Sequence, residues 1–271
     1  MNNDIIGFDD ASRFDNHHSS GKIWHKKGIK NTIIKSLWRK ESVNVIGFQP
    51  LNGVPVLSCP ERSNRSTFSI HQFDVRIQNM ENEKIAKTLY QFSKCSELTE
   101  EFIKNELKES MPNNDELNKQ ISNATNKPYE TQTALNKRIN RIFDKINVKN
   151  KVIVEIQEKI IYTWMEENQW IKTQLKKEKR IVMVLDNHSA NLSNLAKDVA
   201  KFLNIKLLHL PPYSPKFNPI EQVWRAMKKK ISSIDFETIE SFLSKVKHYY
   251  SEYIKEKTFT NKWVDKFITK S

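Results

Sequence analysis

The sequence predicts an α/β protein, a sheet of short strands with helices around it and a helical segment set into the middle. Three observations predict it. The first 70 residues hold short apolar runs separated by turn residues, which read as a β-meander. Arg180-Ile181-Val182-Met183-Val184-Leu185-Asp186 is the most strand-like run in the chain. It is flanked by helical stretches, as befits a central strand buried on both faces. Between these regions, residues 81–149 are polar and helix-prone.

Taken in order, Ile5-Ile6-Gly7-Phe8 reads as a buried strand that ends by delivering Asp9-Asp10 to its edge. Ile23-Trp24 and Val43 to Phe48 read as further strands. Asn52-Gly53 is a hairpin turn signal, with Val54 to Leu57 as the partner strand. Residues 81–149 form the helical insertion, broken by Pro112 and Pro128. Val152 to Leu175 reads as one amphipathic helix. A helix over Ser189–Leu203, a strand over Ile205–Leu210 and a helix to about Ile231 follow, with Asn218 capping the last and Pro219 early in it. Phe236 to Tyr253 forms another helix, and the tail to Ser271 reads as helical. The expected division is 1–80 for the first half of the core, 81–149 for the insertion, 150–235 for the second half, and 236–271 for a C-terminal helical tail.

Composition narrows the function. The chain has 271 residues, 38% of them hydrophobic, and a mean hydropathy of −0.66. No run approaches the length of a membrane-spanning helix, and the N-terminus carries acids where a signal peptide would carry Lys or Arg. Cys59 and Cys95 make no disulfide framework and fit a reducing cytoplasm. The net charge is +13 and the pI about 9.5, a field that favours a polyanion, most simply nucleic acid. Residues 81–149 hold 12 Lys and Arg against 11 Asp and Glu, so +12 of the charge lies outside them.

Three acids stand out by position. Asp10 follows the first strand, Asp186 follows the central strand, and Glu221 lies in the first turn of a helix. Acids at the ends of neighbouring strands meet at one sheet edge, where a helix acid can face them. Three carboxylates in a basic protein suit a hard cation such as Mg²⁺ or Mn²⁺, which takes oxygen ligands. Pro211, Pro212, Pro215 and Pro219 fix φ at four places in nine residues and set how the Glu221 helix begins. A stiff surface turn with Glu221 favouring the helix dipole accounts for them as well.

LDNHSAN (185–191) and LPPYSPKFNPIEQVW (210–224) resemble the second and third blocks of DDE transposases of the Tc/mariner superfamily, in its bacterial and archaeal insertion-sequence branch. Asp186 and Glu221 have 34 residues between them, the spacing of that superfamily. FDDASRF (8–14), with Trp24 and Gly28, is similar to the first block, and Asp10, four residues before Phe14, fits its acid better than Asp9 does. The resemblance implies an RNase H-like (retroviral-integrase-like) mixed sheet flanked by helices. It implies Asp10, Asp186 and Glu221 as catalytic ligands of two Mg²⁺ or Mn²⁺ ions. The implied reaction is cleavage of phosphodiesters at transposon ends, followed by attack of the freed 3′-OH on target DNA. Asn187 is expected to orient Asp186, and Lys228, Lys229 and Lys230 to meet DNA phosphates. Trp224 reads as a core anchor.

The chain departs from the family pattern in three ways. Asn191 stands where the family often has His, and the insertion is longer than a compact member needs. Only nine residues precede Asp10, which leaves no room for the helix-turn-helix region that reads element ends. That places an upstream helix-turn-helix reading-frame product among the expected partners, beside DNA and a second copy in an active homodimer. The expected location is cytoplasmic, associated with the nucleoid, with no membrane. Two other readings stand beside the transposase: a DNA-binding remnant that no longer cuts, and a stand-alone RNase H-like nuclease. His17, His18, His25 and Cys59 match no zinc spacing, His188 reads as a loop histidine, and His209 as core or edge.

Overall fold

In the computed structural model, β1 (Ile5–Asp15) is the middle strand of a five-stranded sheet. Residues 4–15, 42–109 and 148–255 are described, except 213, 233, 235 and 237, together with 261 and 264. β1 pairs antiparallel with β2 (Ser42–Pro50), which pairs antiparallel with β3 (Val56–Ser58). On its other side β1 runs parallel to β4 (Ile181–Leu185), and β4 runs parallel to β5 (Ile205–His209). The order is therefore β3-β2-β1-β4-β5. This is the mixed, helix-flanked RNase H-like sheet that the motifs imply.

β1 does not stop at its acids, as the apolar run alone suggested. It continues through them to Asp15 because β2 pairs with it along that whole length, from Gly7↔Pro50 to Asp15↔Ser42. The two-residue period of a strand then sends Asp9 and Asp10 to opposite faces. Asn52-Gly53 does not close a tight hairpin either. The Asn52 side chain accepts from the Ile6 amide at 2.9 Å and donates to the Asp4 carbonyl at 2.8 Å, which ties the loop to the start of β1.

The meander ends at β3, and a helix the sequence concealed follows, α1 (Arg65–Gln78). Asn64 and Thr67 cap it reciprocally, each side chain accepting from the other's backbone amide. Its buried face carries Ser66, Ser69, His71, Gln72 and Arg76 beside Phe68, Phe73 and Val75, so the apolar periodicity is blurred. Arg76 is wholly buried. Its guanidinium donates to the carbonyls of Leu203 (2.8 Å), Lys179 (2.9 Å) and Asn204 (2.8 Å), and burial lowers its pKa to about 10. The side chain thus closes carbonyls at two turns that precede β4 and β5.

α2 (Glu83–Ser93) leads on, and the chain divides into two compact units, 1–90 with 170–271, and 91–169. The sequence had put these divisions near 80 and 150. Within the smaller unit lie α3 (Glu100–Glu109) and α4 (Val148–Glu167). There Phe92 stacks on Trp164 at 4.3 Å, and the Gln157 amide donates to the Leu98 carbonyl at 2.6 Å. The expected helix over Val152–Leu175 is two helices, α4 and α5 (Gln169–Leu175). They break at Asn168, whose side chain donates to the Trp164 carbonyl at 2.9 Å.

Past β4 the chain turns through residues 189–193 before α6 (Asn194–Phe202) begins, capped by Ser193, later than the expected start at Ser189. α7 (Ile220–Ile231) and α8 (Ile239–Lys255) complete the described helices. On the Asp10 face, Phe14, Val43 and Val45 of the sheet pack with Val223, Trp224 and Met227 of α7 and with Phe242, Val246 and Tyr250 of α8. Tyr250 donates from that core toward the carbonyls of Phe48 (2.9 Å) and Val56 (3.0 Å). No helix among the described residues is long and apolar enough to cross a membrane. Ile23-Trp24, Gly28, His17, His18, His25, Pro112, Pro128, Tyr213 and nearly all of residues 256–271 lie outside the described residues.

Candidate active site

Strand alternation sends the two adjacent acids to different surroundings. Asp9 points toward α1 and is buried. Its carboxyl lies 2.9 Å from His71 Nε2, while His71 Nδ1 lies 2.7 Å from the Ser58 hydroxyl, which donates to Asp74 at 3.0 Å. Ser58 therefore accepts from Nδ1–H, and one proton lies between Nε2 and the Asp9 carboxyl. Burial raises the Asp9 pKa, against the opposing pull of His71. Its Oδ2 is thus held by His71 on the α1 side of the sheet.

Asp10 points the other way, toward α7. Trp224 Nε1 donates to its Oδ2 at 2.9 Å. Its pKa is pushed up to about 8, first by burial and then by the negative charges of Glu221, Asp186 and Asp9, with the Trp224 bond opposing. The structure thus brings together the three acids singled out by sequence. Among the described residues no cationic side chain contributes to the Asp10 shift, so the cluster holds repulsion that a bound cation would relieve.

Asp186 follows directly on β4. Its Oδ1 accepts from the His188 amide at 3.0 Å and from the Asn191 side chain at 2.8 Å. His209, at the end of edge strand β5, reaches the Asp186 carbonyl at 3.2 Å. Asn187, expected to orient Asp186, does not touch its carboxyl. Its amide donates to the Leu210 carbonyl at 2.8 Å and fastens the end of β4 to the end of β5. Next to Asp186 in sequence, Asn187 is carried away from that carboxylate, whereas Asn191, five residues on, is brought back to it by the turn. The role expected of Asn187 falls to Asn191.

Glu221 is in the first turn of α7. Pro219 is the N-cap at φ −64°, with no side-chain cap bond. Asn218 does not cap the helix with its side chain; that amide donates instead to the Asp9 carbonyl at 3.1 Å. Before it, Pro215 opens a short 3₁₀ turn over Pro215–Phe217, and the Phe217 amide bonds the Ser214 carbonyl at 3.1 Å.

Asp186 separates two cavities. One, of about 230 Å³, is lined by Asp9, Asp10, Arg13, Phe68, His188 and Asn191 among others. The second, of about 410 Å³, is lined by Pro211, Pro212, Asn218 and Glu221. A polymer lying across Asp186 would reach both.

All three central donors are carboxylate oxygens, the type Mg²⁺ and Mn²⁺ take. Among the described residues no three His, Cys, Asp or Glu side chains form a ready-made ion cage. Mg²⁺ does not require one, since it binds through one or two carboxylates and completes its shell with water and phosphate. The donor set fits such an ion.

Residues 109–243 match the family model described as DDE superfamily endonuclease. The chain carries a DDE superfamily endonuclease domain. The matched span contains Asp186, Glu221 and the proline-rich loop between them; Asp10 lies outside it, close enough to feel the charges of both. No curated protein shows a significant sequence match. Two solved structures are similar, the Mos1 strand transfer complex and a pre-cleavage Mos1 transpososome, each at 12% identity and a TM-score of 0.45. They cover 97% and 95% of this chain, and the chain spans 50% of theirs.

On the DDE domain the three lysines expected to meet DNA are all exposed on the last turns of α7. Lys228 holds its ammonium 5.5 Å from the centre of the Phe14 ring. Cys59 sits half-buried at the edge of the α7–α8 core, and burial raises its pKa.

Proposed function

We propose that this chain is the catalytic part of a DDE transposase, which cleaves phosphodiesters at transposon ends and joins the freed 3′-OH strand to target DNA. The observation that carries the reading is the convergence of Asp10, Asp186 and Glu221, felt at Asp10 as a carboxyl raised to about 8. The endonuclease match over two of those acids supports it.

Asp10, Asp186 and Glu221 would hold two Mg²⁺ or Mn²⁺ ions. Such a pair, when bound, supplies activation of the attacking hydroxyl and stabilisation of the leaving oxygen. Asn191 and the His188 amide hold Oδ1 of Asp186 in place. Pro211, Pro212 and Pro219 stiffen the approach to Glu221. His188 and Arg13, the latter paired with Asp15 at 3.1 Å, line the smaller cavity and could contact a phosphate backbone that enters it. Lys228, Lys229 and Lys230 extend a basic stripe from the same helix. The net charge of +13 favours DNA as the partner, and cutting two ends together calls for a homodimer, with an upstream helix-turn-helix product supplying end recognition. The protein would act in the cytoplasm, at the nucleoid.

The test is strand cleavage of a duplex bearing the element's terminal repeat, in Mn²⁺, by the wild type beside Asp186→Asn and Glu221→Gln. Cleavage by the wild type that is lost in both variants is the expected result. Silence of the wild type, persisting when the upstream reading-frame product is supplied, would refute the catalytic reading in favour of a non-cutting DNA-binding remnant. Equal cleavage of an unrelated RNA–DNA hybrid would favour a stand-alone nuclease.

A further inference from the structure

Glu221 lies between two side chains that bind consecutive residues of β1. Asn218, three residues before it, donates from Nδ2 to the Asp9 carbonyl at 3.1 Å. Trp224, three residues after it, donates from Nε1 to Asp10 Oδ2 at 2.9 Å. We propose that Asn218 and Trp224 are positioning residues that fix the Glu221 helix against the Asp10 strand and so set the distance across which the two carboxylates share an ion. This rests on the metal site proposed above.

The Trp224 arm is built for its place. Asp10 pairs directly with Gly47 on β2, and the two share a face of the sheet. A Cβ at Gly47 would come within 2.6 Å of Trp224 Cη2, so the indole crosses the sheet only because that position lacks a side chain. Tyr250 stacks on the indole at 5.5 Å and 22°, and Phe14 meets it edge-on at 6.0 Å and 82°. The ring therefore has little freedom. Its N–H occupies one oxygen of Asp10 and leaves the other for a cation.

The Asn218 arm carries a cost that a space-filling residue would not. The side chain is buried, and its Oδ1 finds no hydrogen-bond partner among the described residues. An apolar residue of the same size would fill the space with no orphaned carbonyl. The amide is explained by the one bond it makes, to the strand that bears Asp10.

The experiment is a Mn²⁺ titration of the full chain, stripped with EDTA and followed by electron paramagnetic resonance of free Mn²⁺. Wild type, Trp224→Phe, Gly47→Ala, Asn218→Ala and Asp10→Asn are compared, with urea midpoints measured in parallel without metal. Trp224→Phe removes the donor; Gly47→Ala keeps every functional group and displaces the ring. Each is expected to bind Mn²⁺ 10–100-fold more weakly, as losses of outer partners of metal ligands do, and Asn218→Ala to weaken it in the same direction. The indole N–H resonance of Trp224, assigned by its absence in Trp224→Phe, should be broadened by Mn²⁺ in the wild type and spared in Asp10→Asn. Should Trp224→Phe fail to fold, Gly47→Ala and Asn218→Ala decide the matter. Mn²⁺ affinity at the wild-type level in the folded variants, with only the urea midpoints lowered, overturns positioning while Asp10→Asn still upholds the metal site. A wild type that takes up no Mn²⁺ overturns both.

Discussion

Replacing Asp10 with Asn should stabilise the metal-free protein while abolishing cleavage. The carboxyl has an ordinary pKa of 3.8 and is pushed up to about 8 in the fold. Asn matches its size and still accepts the Trp224 indole N–H. A folded pKa above the unfolded one means that the native state binds more protons between pH 4 and 8. Stability from this group is therefore complete below pH 4 and is lost as pH rises toward 8. At pH 7 about three pH units of that loss have accrued, roughly 4 kcal/mol at 1.36 kcal/mol per unit. Water reaching the partly exposed carboxyl reduces this to about 2–4 kcal/mol. Urea unfolding in EDTA at pH 4.5, 6, 7 and 8 would measure it. The gap between Asp10→Asn and the wild type should be no more than about 1 kcal/mol at pH 4.5 and widen with pH. Added Mn²⁺ should then close the gap by stabilising the wild type alone. If Asp10→Asn is no more stable than the wild type at pH 7, or the gap does not grow with pH, the carboxylate cluster is not under the repulsion described.

Three other outcomes are expected. Arg76→Ala removes a donor from three carbonyls, of which that of Asn204 keeps the Ile181 amide, and opens a cavity; it should cost about 3–5 kcal/mol in urea unfolding with metal affinity unchanged. Asn191→Ala removes one of the two bonds that hold Asp186 Oδ1, leaving only the His188 amide, and should lower the cleavage rate 10–100-fold, whereas Asn187→Ala should leave the carboxylate in place and affect the rate far less. Removing Lys228, Lys229 and Lys230 together should weaken DNA binding evenly across sequences and make the logarithmic salt dependence about 2–3 units shallower, read from binding isotherms over a salt series.

The parts of the site that were legible in the sequence are those where chemistry and local pattern coincide. Asp186 closes an unmistakable buried strand, and Glu221 follows a loop that prolines make rigid. The resemblance favoured Asp10 over Asp9 by the motif's spacing to Phe14, and strand parity puts residues 10 and 14 on one face, the one that α7 covers. What stayed hidden depends on contacts between distant segments. α1 buries His71, Gln72 and Arg76, whose polarity erases the helical stripe, and the partners that satisfy His71 and Arg76 lie tens to more than a hundred residues away. Asn187 and Asn191 are alike in type, and only the course of the turn tells which one reaches Asp186. Trp224 was readable as a core anchor but not as a hydrogen-bond donor, since its acceptor lies 214 residues away.

The two neighbours of β1 differ in when they become available. β2 follows it closely, but Ile5 pairs with Ile181, roughly 175 residues later. At about 5–20 residues per second, synthesis leaves the parallel edge of β1 without its partner for roughly 10–35 s. During that interval the meander exists before β4 or α7, and Asp10 stands without the helix that will face it. Pairing over so long a separation is slow even in a finished chain. The sheet edge that carries the three acids is therefore among the last parts of the molecule to close.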